Sequence, residues 1–449
     1  MKEDNMRSLR AGTSGFEALE DRVLLAGDVT AVLQGSTLYI TGDSAGNDLT
    51  IGQDDLGNIT VQGTDGTSIN HDSSGNPLAF SGVKNITVSL GAGNDHLIIG
   101  GEDETAETDV TAADEETDEE GPKLSLAGNL TVATGSGDDT VRMSFTQVAG
   151  NVIIVTDGGN DAVDLGRGPG FGGEDHVEPS SAALAPSLSP SEAEEGGGPP
   201  SDVKIGGSLT IVTCAGDDGV KVGFTDVQNN VTINTGDGND DIVTGRGPIN
   251  NIHGPGEEAL VAAASSAHGN VRPEDTHFGG CFTVLSGSGD DMVVVRNTEI
   301  GKSAFVSTDG GNDSVAMDNT AVGGCTTILE GWGDDILLIR GSEFGGSVSA
   351  LTGLGNDAVY VQNNTFSSPF LLLTESGDDV VTVKGNEFRG VAWLDGGLGT
   401  DALAQANNTF ASKAVMFGFE KNPSNFNFTP VNQKINDAFA GFMMGGPVG

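Results

Sequence analysis

The chain is poor in most of what stabilises an ordinary domain. It has 3 cysteines, aromatic residues at 5% and 20 Lys plus Arg against 65 Asp plus Glu in 449 residues. Three thiols cannot form a disulfide framework. Cys281 and Cys325 share one repeat phase but lie two repeats apart, roughly 9.6 Å at ordinary strand spacing and beyond the roughly 7 Å limit for bridging, so three free thiols are expected. The shortage of cations, with a net charge of -45, disfavours nucleic acid, because binding phosphate needs clustered Lys and Arg. No stretch of apolar residues is long enough to span a membrane. The N-terminus lacks the apolar core of a secretory signal peptide.

Glycine is abundant, at 70 residues, and it is placed periodically. Twelve turns built on Gly-x-Gly-[Asp/Asn]-Asp end at Asp48, Asp95, Asp139, Asp161, Asp218, Asp240, Asp291, Asp313, Asp335, Asp357, Asp379 and Asp401, the last six spaced by 22 residues. A fixed period of this size marks a solenoid, in which each repeat is one rung that needs its neighbours to bury a core. Aligning the rungs on the final Asp (position 0) gives apolar columns at +2 and +4 (Val293 and Val295, Leu337 and Ile339) and at -9 and -7 (Phe282 and Val284, Phe370 and Leu372). A fifth, at -13, includes Phe278, Ile300, Val322, Phe344, Phe366, Phe388 and Phe410. Spacing by two is strand alternation, and the single column predicts a third, shorter strand or a bend. The expected fold is all-β: a single-stranded parallel β-helix (β-solenoid) of 22 residues per rung and about 12 or more rungs.

Two polar columns accompany the strands. Asn297-Thr298, Asn319-Thr320, Asn363-Asn364 and Asn407-Asn408 predict a ladder of stacked side chains at a corner. At position -1, Asp138, Asp217, Asp290, Asp334 and Asp378 alternate with Asn160, Asn239, Asn312 and Asn356. The alternation halves the charge in that column, where stacked carboxylates repel by about 1 kcal/mol per neighbour in water. The aspartates at position 0 have no such relief. They need counter-ions or hydrogen bonds from turn amides.

Three insertions interrupt the phase, each just after the +4 position and so from one corner. The chain then divides into a lead-in at 1–27, irregular β rungs at 28–100, an acidic loop at 101–121, rungs at 122–166, a Pro/Ser/Gly-rich loop at 167–200, rungs at 201–245, a mixed loop at 246–277, regular rungs at 278–411 and a C-terminal cap at 412–449. The first two loops are expected to be disordered. In the cap, Ile435, Ala438, Phe439 and Phe442 have the spacing of a short amphipathic helix that would cover the last rung.

Asp309-Gly310-Gly311-Asn312-Asp313-Ser314-Val315 and Leu90-Gly91-Ala92-Gly93-Asn94-Asp95 resemble the RTX calcium-binding nonapeptide, in which turn carbonyls and an Asp carboxylate hold Ca²⁺ between rungs. One turn per 22 residues, instead of one every nine, departs from an RTX roll. The resemblance and the oxygen-only donors imply Ca²⁺ at Asp95, Asp138, Asp139, Asp161, Asp217, Asp218, Asp240, Asp290, Asp291, Asp313, Asp334, Asp335, Asp357, Asp378, Asp379 and Asp401. At the other end, Phe16-Glu17-Ala18-Leu19-Glu20-Asp21-Arg22-Val23-Leu24-Leu25 is similar to the LEPR-XLL segment that opens many repetitive bacterial surface and secreted proteins, with Asp21 in place of its Pro. That likeness implies export.

These features predict a non-catalytic structural or adhesive solenoid, extracellular or at the cell surface. Its expected partners are divalent cations, surface glycans or other copies of itself. The competing expectation is a polysaccharide-active β-helix enzyme, a lyase or hydrolase whose groove is walled by the inserted loops. Its one candidate cluster is His253, His268 and His277. Arg142, Arg296, Arg340, Lys221 and Lys384, at similar strand edges, are expected to pair with the acidic turns.

Overall fold

In a computed structural model, the residues described are 27–101, 124–166, 203–245, 249–250, 276–421 and 443–444. The lead-in through residue 26, most of the three insertions and the helix expected around Ile435 to Phe442 lie outside them. The described residues are all-β and wind into a parallel β-helix. Two 15-stranded sheets run its length, and an 11-stranded sheet joins them from Leu124–Leu126 onward. Successive strands of each sheet pair in parallel with residues of the same phase, as in Val293↔Val315 and Leu337↔Val359.

Within a rung, the first sheet takes the segment before the glycine turn, for example Phe282–Leu285. The second takes the segment after it, Met292–Arg296, and the third takes a strand of two or three residues such as Thr298–Ile300. All five apolar columns point inward. Phe282, Val284, Val293, Val295 and Ile300 are fully buried. The third sheet's single column ends in a stack of Phe344, Phe366, Phe388 and Phe410, with centroids 5.2, 5.0 and 5.1 Å apart and rings within 6° of parallel. Such stacking follows from identical residues at strand spacing. The corner between the second and third sheets is turned in a left-handed conformation by Asn297, Asn319, Asn363 and Asn407, a residue type that tolerates it.

The N-terminal end is built differently. Asp28–Gln34 and Thr37–Thr41 form an antiparallel hairpin on the first sheet, and Asp48–Gln53 pairs antiparallel with Ile59–Gly63 on the second. These hairpins close the end of the stack, where a parallel rung would leave an open edge. They also shift the phase by one residue. Asp48 pairs with His96 at the start of a strand, and the buried Asn47 occupies the place expected for Asp48. The chain departs toward each insertion after a second-sheet strand, His96–Ile99, Ala162–Leu165 or Asp241–Thr244. It resumes regular rungs in the third sheet, at Leu124–Leu126, Val203–Ile205 and Thr276–Phe278.

Candidate functional site

The glycine turns hold the repeated polar chemistry, and they split it into two columns facing opposite ways. Gly two residues before each Asp makes the turn possible. At Gly355, φ is +144° and an added Cβ would lie 1.6 Å from the carbonyl oxygen of Gly333 in the preceding rung. No side chain fits that approach, so the glycine is dictated by both dihedral and contact.

The inner column, at position 0, is buried. Each carboxylate accepts the backbone N–H of the Asp one rung earlier. Asp291 N donates to Asp313 Oδ1 at 2.9 Å, Asp313 N to Asp335 Oδ1 at 2.8 Å and Asp335 N to Asp357 Oδ1 at 2.9 Å. The series runs without a break from Asn47 N, which donates to Asp95 Oδ1 at 2.8 Å, to Asp379 N, which donates to Asp401 Oδ1 at 2.9 Å. Glu420 completes it, its Oε2 accepting Asp401 N at 3.1 Å. Side-chain carboxylates thus serve turn amides that would otherwise be buried unpaired.

The second carboxylate oxygen faces a hydroxyl column at position -5. Thr352 Oγ1 donates to Asp357 Oδ2 at 2.5 Å. Thr213, Thr235, Thr308 and Thr374 instead turn their hydroxyls to a carbonyl of the next rung, as Thr308 Oγ1 does to Glu330 O at 3.2 Å, and the hydroxyls of Thr134, Thr156 and Ser286 have no hydrogen-bond partner. The Oδ2 atoms of Asp161, Asp218, Asp240, Asp291, Asp313 and Asp379 are then buried without a hydrogen bond. Burial pushes Asp95 and Asp218 up to about 6, Asp161, Asp291 and Asp379 up to about 7, and Asp313 up to about 8. Neighbouring aspartates add to the rise, while the turn amides oppose it. Burial thus makes the inner column easier to protonate than an exposed row of aspartates.

Glu330 breaks the hydroxyl column. It is fully buried where its neighbouring rungs, from Thr134 to Thr374, place Thr or Ser, and neither carboxyl oxygen has a hydrogen-bond partner. Burial, with Asp335, Asp357 and Asp313 nearby, holds its carboxyl well above the usual range. The protonated acid is its stable form there, since an unpaired buried charge is costly.

The outer column, at position -1, is exposed and runs in the reverse direction. Asn312 N donates to Asp290 Oδ1 at 2.6 Å, Asp334 N to Asn312 Oδ1 at 3.0 Å, and Asn356 N to Asp334 Oδ1 at 2.7 Å. Asp138, Asp217 and Asp378 belong to the same series. Of the expected cation ligands, Asp138, Asp217, Asp290, Asp334 and Asp378 thus face solvent, while Asp95, Asp139, Asp161, Asp218, Asp240, Asp291, Asp313, Asp335, Asp357, Asp379 and Asp401 lie on the inner wall. Among the described residues, no group of three or more His, Cys, Asp or Glu is arranged to hold a metal ion.

The Asn/Thr ladder also forms. Asn364 N donates to Asn386 Oδ1 at 2.9 Å and Asn386 N to Asn408 Oδ1 at 3.0 Å. The basic residues correct one expectation. Arg340 makes a two-pronged pair with Asp318, with both contacts at 2.8 Å, and Lys221 and Arg142 lie near Asp164. These partners share the outward face of the second sheet, because strand alternation carries +3 and +5 outward while position 0 points in. Of the histidine cluster, His253 and His268 lie outside the described residues. His277 Nδ1 is 3.1 Å from Asp226 Oδ1 on the third sheet. The three cysteines are free thiols.

Sequence reasoning missed a second apolar cluster on the outward face of the second sheet: Val243, Val294, Ala316, Ile336, Leu338, Ala358 and Tyr360, all buried. The signal was present. Ile336-Leu337-Leu338-Ile339 is a continuous apolar run, the mark of a strand covered on both faces.

No protein-family model and no curated protein matches the chain. It is similar to a solved structure described as a hyperactive, Ca2+-dependent, beta-helical antifreeze protein from an Antarctic bacterium. The identity is 15% and the TM-score 0.30, over 79% of this chain and 85% of that one.

Proposed function

We propose that the protein is a non-catalytic, exported β-solenoid that serves as a rigid structural or adhesive element at a bacterial surface or in its matrix. The observation that carries this reading is how the repeated side chains are used. Inner aspartates, outer Asp/Asn pairs and corner Asn/Thr residues each bond a backbone amide of a neighbouring rung. Chemistry repeated in every rung and directed along the axis stiffens a rod; it does not converge on a substrate.

Divalent cations act on this rod from outside. The outer column presents a carboxylate on every second rung, and Ca²⁺ gathers there to offset its charge. The inner column has less call for a cation, because the first oxygen of each carboxylate already serves an amide and burial favours the protonated form of several of them. Thermal unfolding of the full chain at 1 mM Ca²⁺ and in chelator, with a count of bound metal, tests this. Ca²⁺ is expected to raise the midpoint by a few degrees in a way that 0.5 M NaCl largely reproduces. A midpoint dependent on Ca²⁺ alone, with one tightly held ion per turn, would replace screening by coordination. A lyase or hydrolase activity toward polysaccharide would overturn the structural reading.

A further inference from the structure

The outward face of the first sheet differs from the other surfaces of the described residues. From Asn85 to Asp395 its strands present three outward columns over eleven rungs, and these contain a single charged residue, Asp395. Charged residues make up 19% of the chain, so the same number of average positions would hold about six. Thr, Ser, Asn and aliphatic residues take their place. Exposed large side chains gather here too. Tyr39, Ile153, Leu285, Trp393 and Phe417 stand on the face, and Trp332 stands on the turn beside it, 73% exposed. Leu56 is the one exposed large apolar residue of the described chain away from this face and its flanking turns. The second sheet's outward apolar residues are already covered; these are open.

From these observations we infer that the outward face of the first sheet is a self-association surface, and that a second copy of this chain packs against it. Area supports the assignment. The face spans thirteen strands from Thr37–Thr41 to Ala414–Phe417, about 58 Å at about 4.8 Å per strand, and is about 13 Å wide. That gives about 750 Å² per copy, within the range of stable dimers. Charge supports it as well. A chain of net charge -45 repels its own copies everywhere except where acids are missing. The insertions leave at the corner between the second and third sheets, away from this face.

The two edges of the face determine the geometry. One edge is the acidic outer column, and the other is the glycine-rich corner that carries Lys302 and Arg389. A two-fold axis parallel to the solenoid sets each acidic edge against the partner's glycine-rich edge. A two-fold across the solenoid would oppose the two acidic edges. The dimer is therefore two rods side by side, sheets face to face and axes parallel.

This inference specifies the self-association admitted by the structural reading, but its test is independent of that reading. Sedimentation of the full chain from 1 to 100 µM, with EDTA throughout to prevent cation bridging, should show the 45.5 kDa monomer giving way to a dimer. Raising NaCl should tighten association, because the residual acidic repulsion is screened while the face is neutral. Leu285→Glu with Leu329→Glu places like charges on both faces of the pair and should weaken dimerisation at least tenfold, with far-UV circular dichroism unchanged. Gln147→Glu, on the exposed side of the third sheet, should leave it intact. A chain monomeric at 100 µM would overturn the inference and leave the face to a partner of another kind. So would a dimer indifferent to the first-sheet charges.

Discussion

Asp313 and Asn312 are adjacent in one turn and belong to opposite walls of it. Asp313 points into the rod, is buried, and takes the amide of the preceding rung. Asn312 points out, is exposed, and bonds the carboxylate of Asp290 while its own oxygen serves Asp334 of the following rung. The same side-chain length does the same job on both walls, bridging about one strand spacing. The difference lies in how charge is tolerated. Outside, where water screens, substituting Asn in alternate rungs is sufficient relief. Inside, every rung from Asp95 to Asp401 keeps Asp, its first oxygen serves an amide, and burial raises the pKa of several of these carboxylates.

Four experiments can break this contrast, in descending order of effect. The largest is collective. Asp95, Asp161, Asp218, Asp291, Asp313 and Asp379 have folded pKa values raised to between about 6 and 8, above the unfolded value, so folding takes up protons between about pH 4 and 8. Their stabilisation is complete below the unfolded pKa and is lost as pH rises through the folded values. The melting temperature should therefore fall steadily from pH 5 to pH 8. A melting temperature that rises across that range would mean the inner column is ionised and otherwise compensated.

Next is Asp313→Ala, which strands the buried amide of Asp291 and should cost about 2–4 kcal/mol in chemical unfolding. Asp313→Asn keeps the acceptor and should cost under about 1 kcal/mol while flattening the local pH response. Equal losses in the two variants would show that the amide bond is not what the residue supplies. Glu330→Thr restores the hydroxyl column and should stabilise by about 1–3 kcal/mol, more at pH 8 than at pH 5. A loss of stability would mean Glu330 has a role that its buried, unpartnered carboxyl does not reveal. Smallest is Asp334→Asn on the outer wall, expected within about 0.5 kcal/mol at physiological salt. An effect as large as that of Asp313→Ala would erase the distinction between the walls.

Much of this architecture is legible in the sequence because each rung repeats the same physical constraint. Alternation at +2 and +4 and at -9 and -7 identifies two sheets, and the Phe column at -13 gives the third. Orientation within the turn is not legible. Position 0 and position -1 are both acidic or amide residues, and only the fold shows that a glycine at positive φ sends one inward and the other outward. The one-residue slip at Asn47 was hidden because Asn47-Asp48 fits the repeat in either phase, and the antiparallel hairpins that decide it are tertiary. Glu330 is not legible either, because a single acid among Thr residues looks like a surface residue until the column is known to face inward.

The inner ladder has a direction, and that gives the rod a head and a tail. Any rung exposed at one end offers an empty carboxylate, and at the other an amide seeking one. Asn47 with the hairpins occupies the first position, and Glu420 reaches over to occupy the second. Without those two stoppers, the ends of different molecules would be as complementary as consecutive rungs are. The caps make the difference between a particle of fixed length and a fibre that grows.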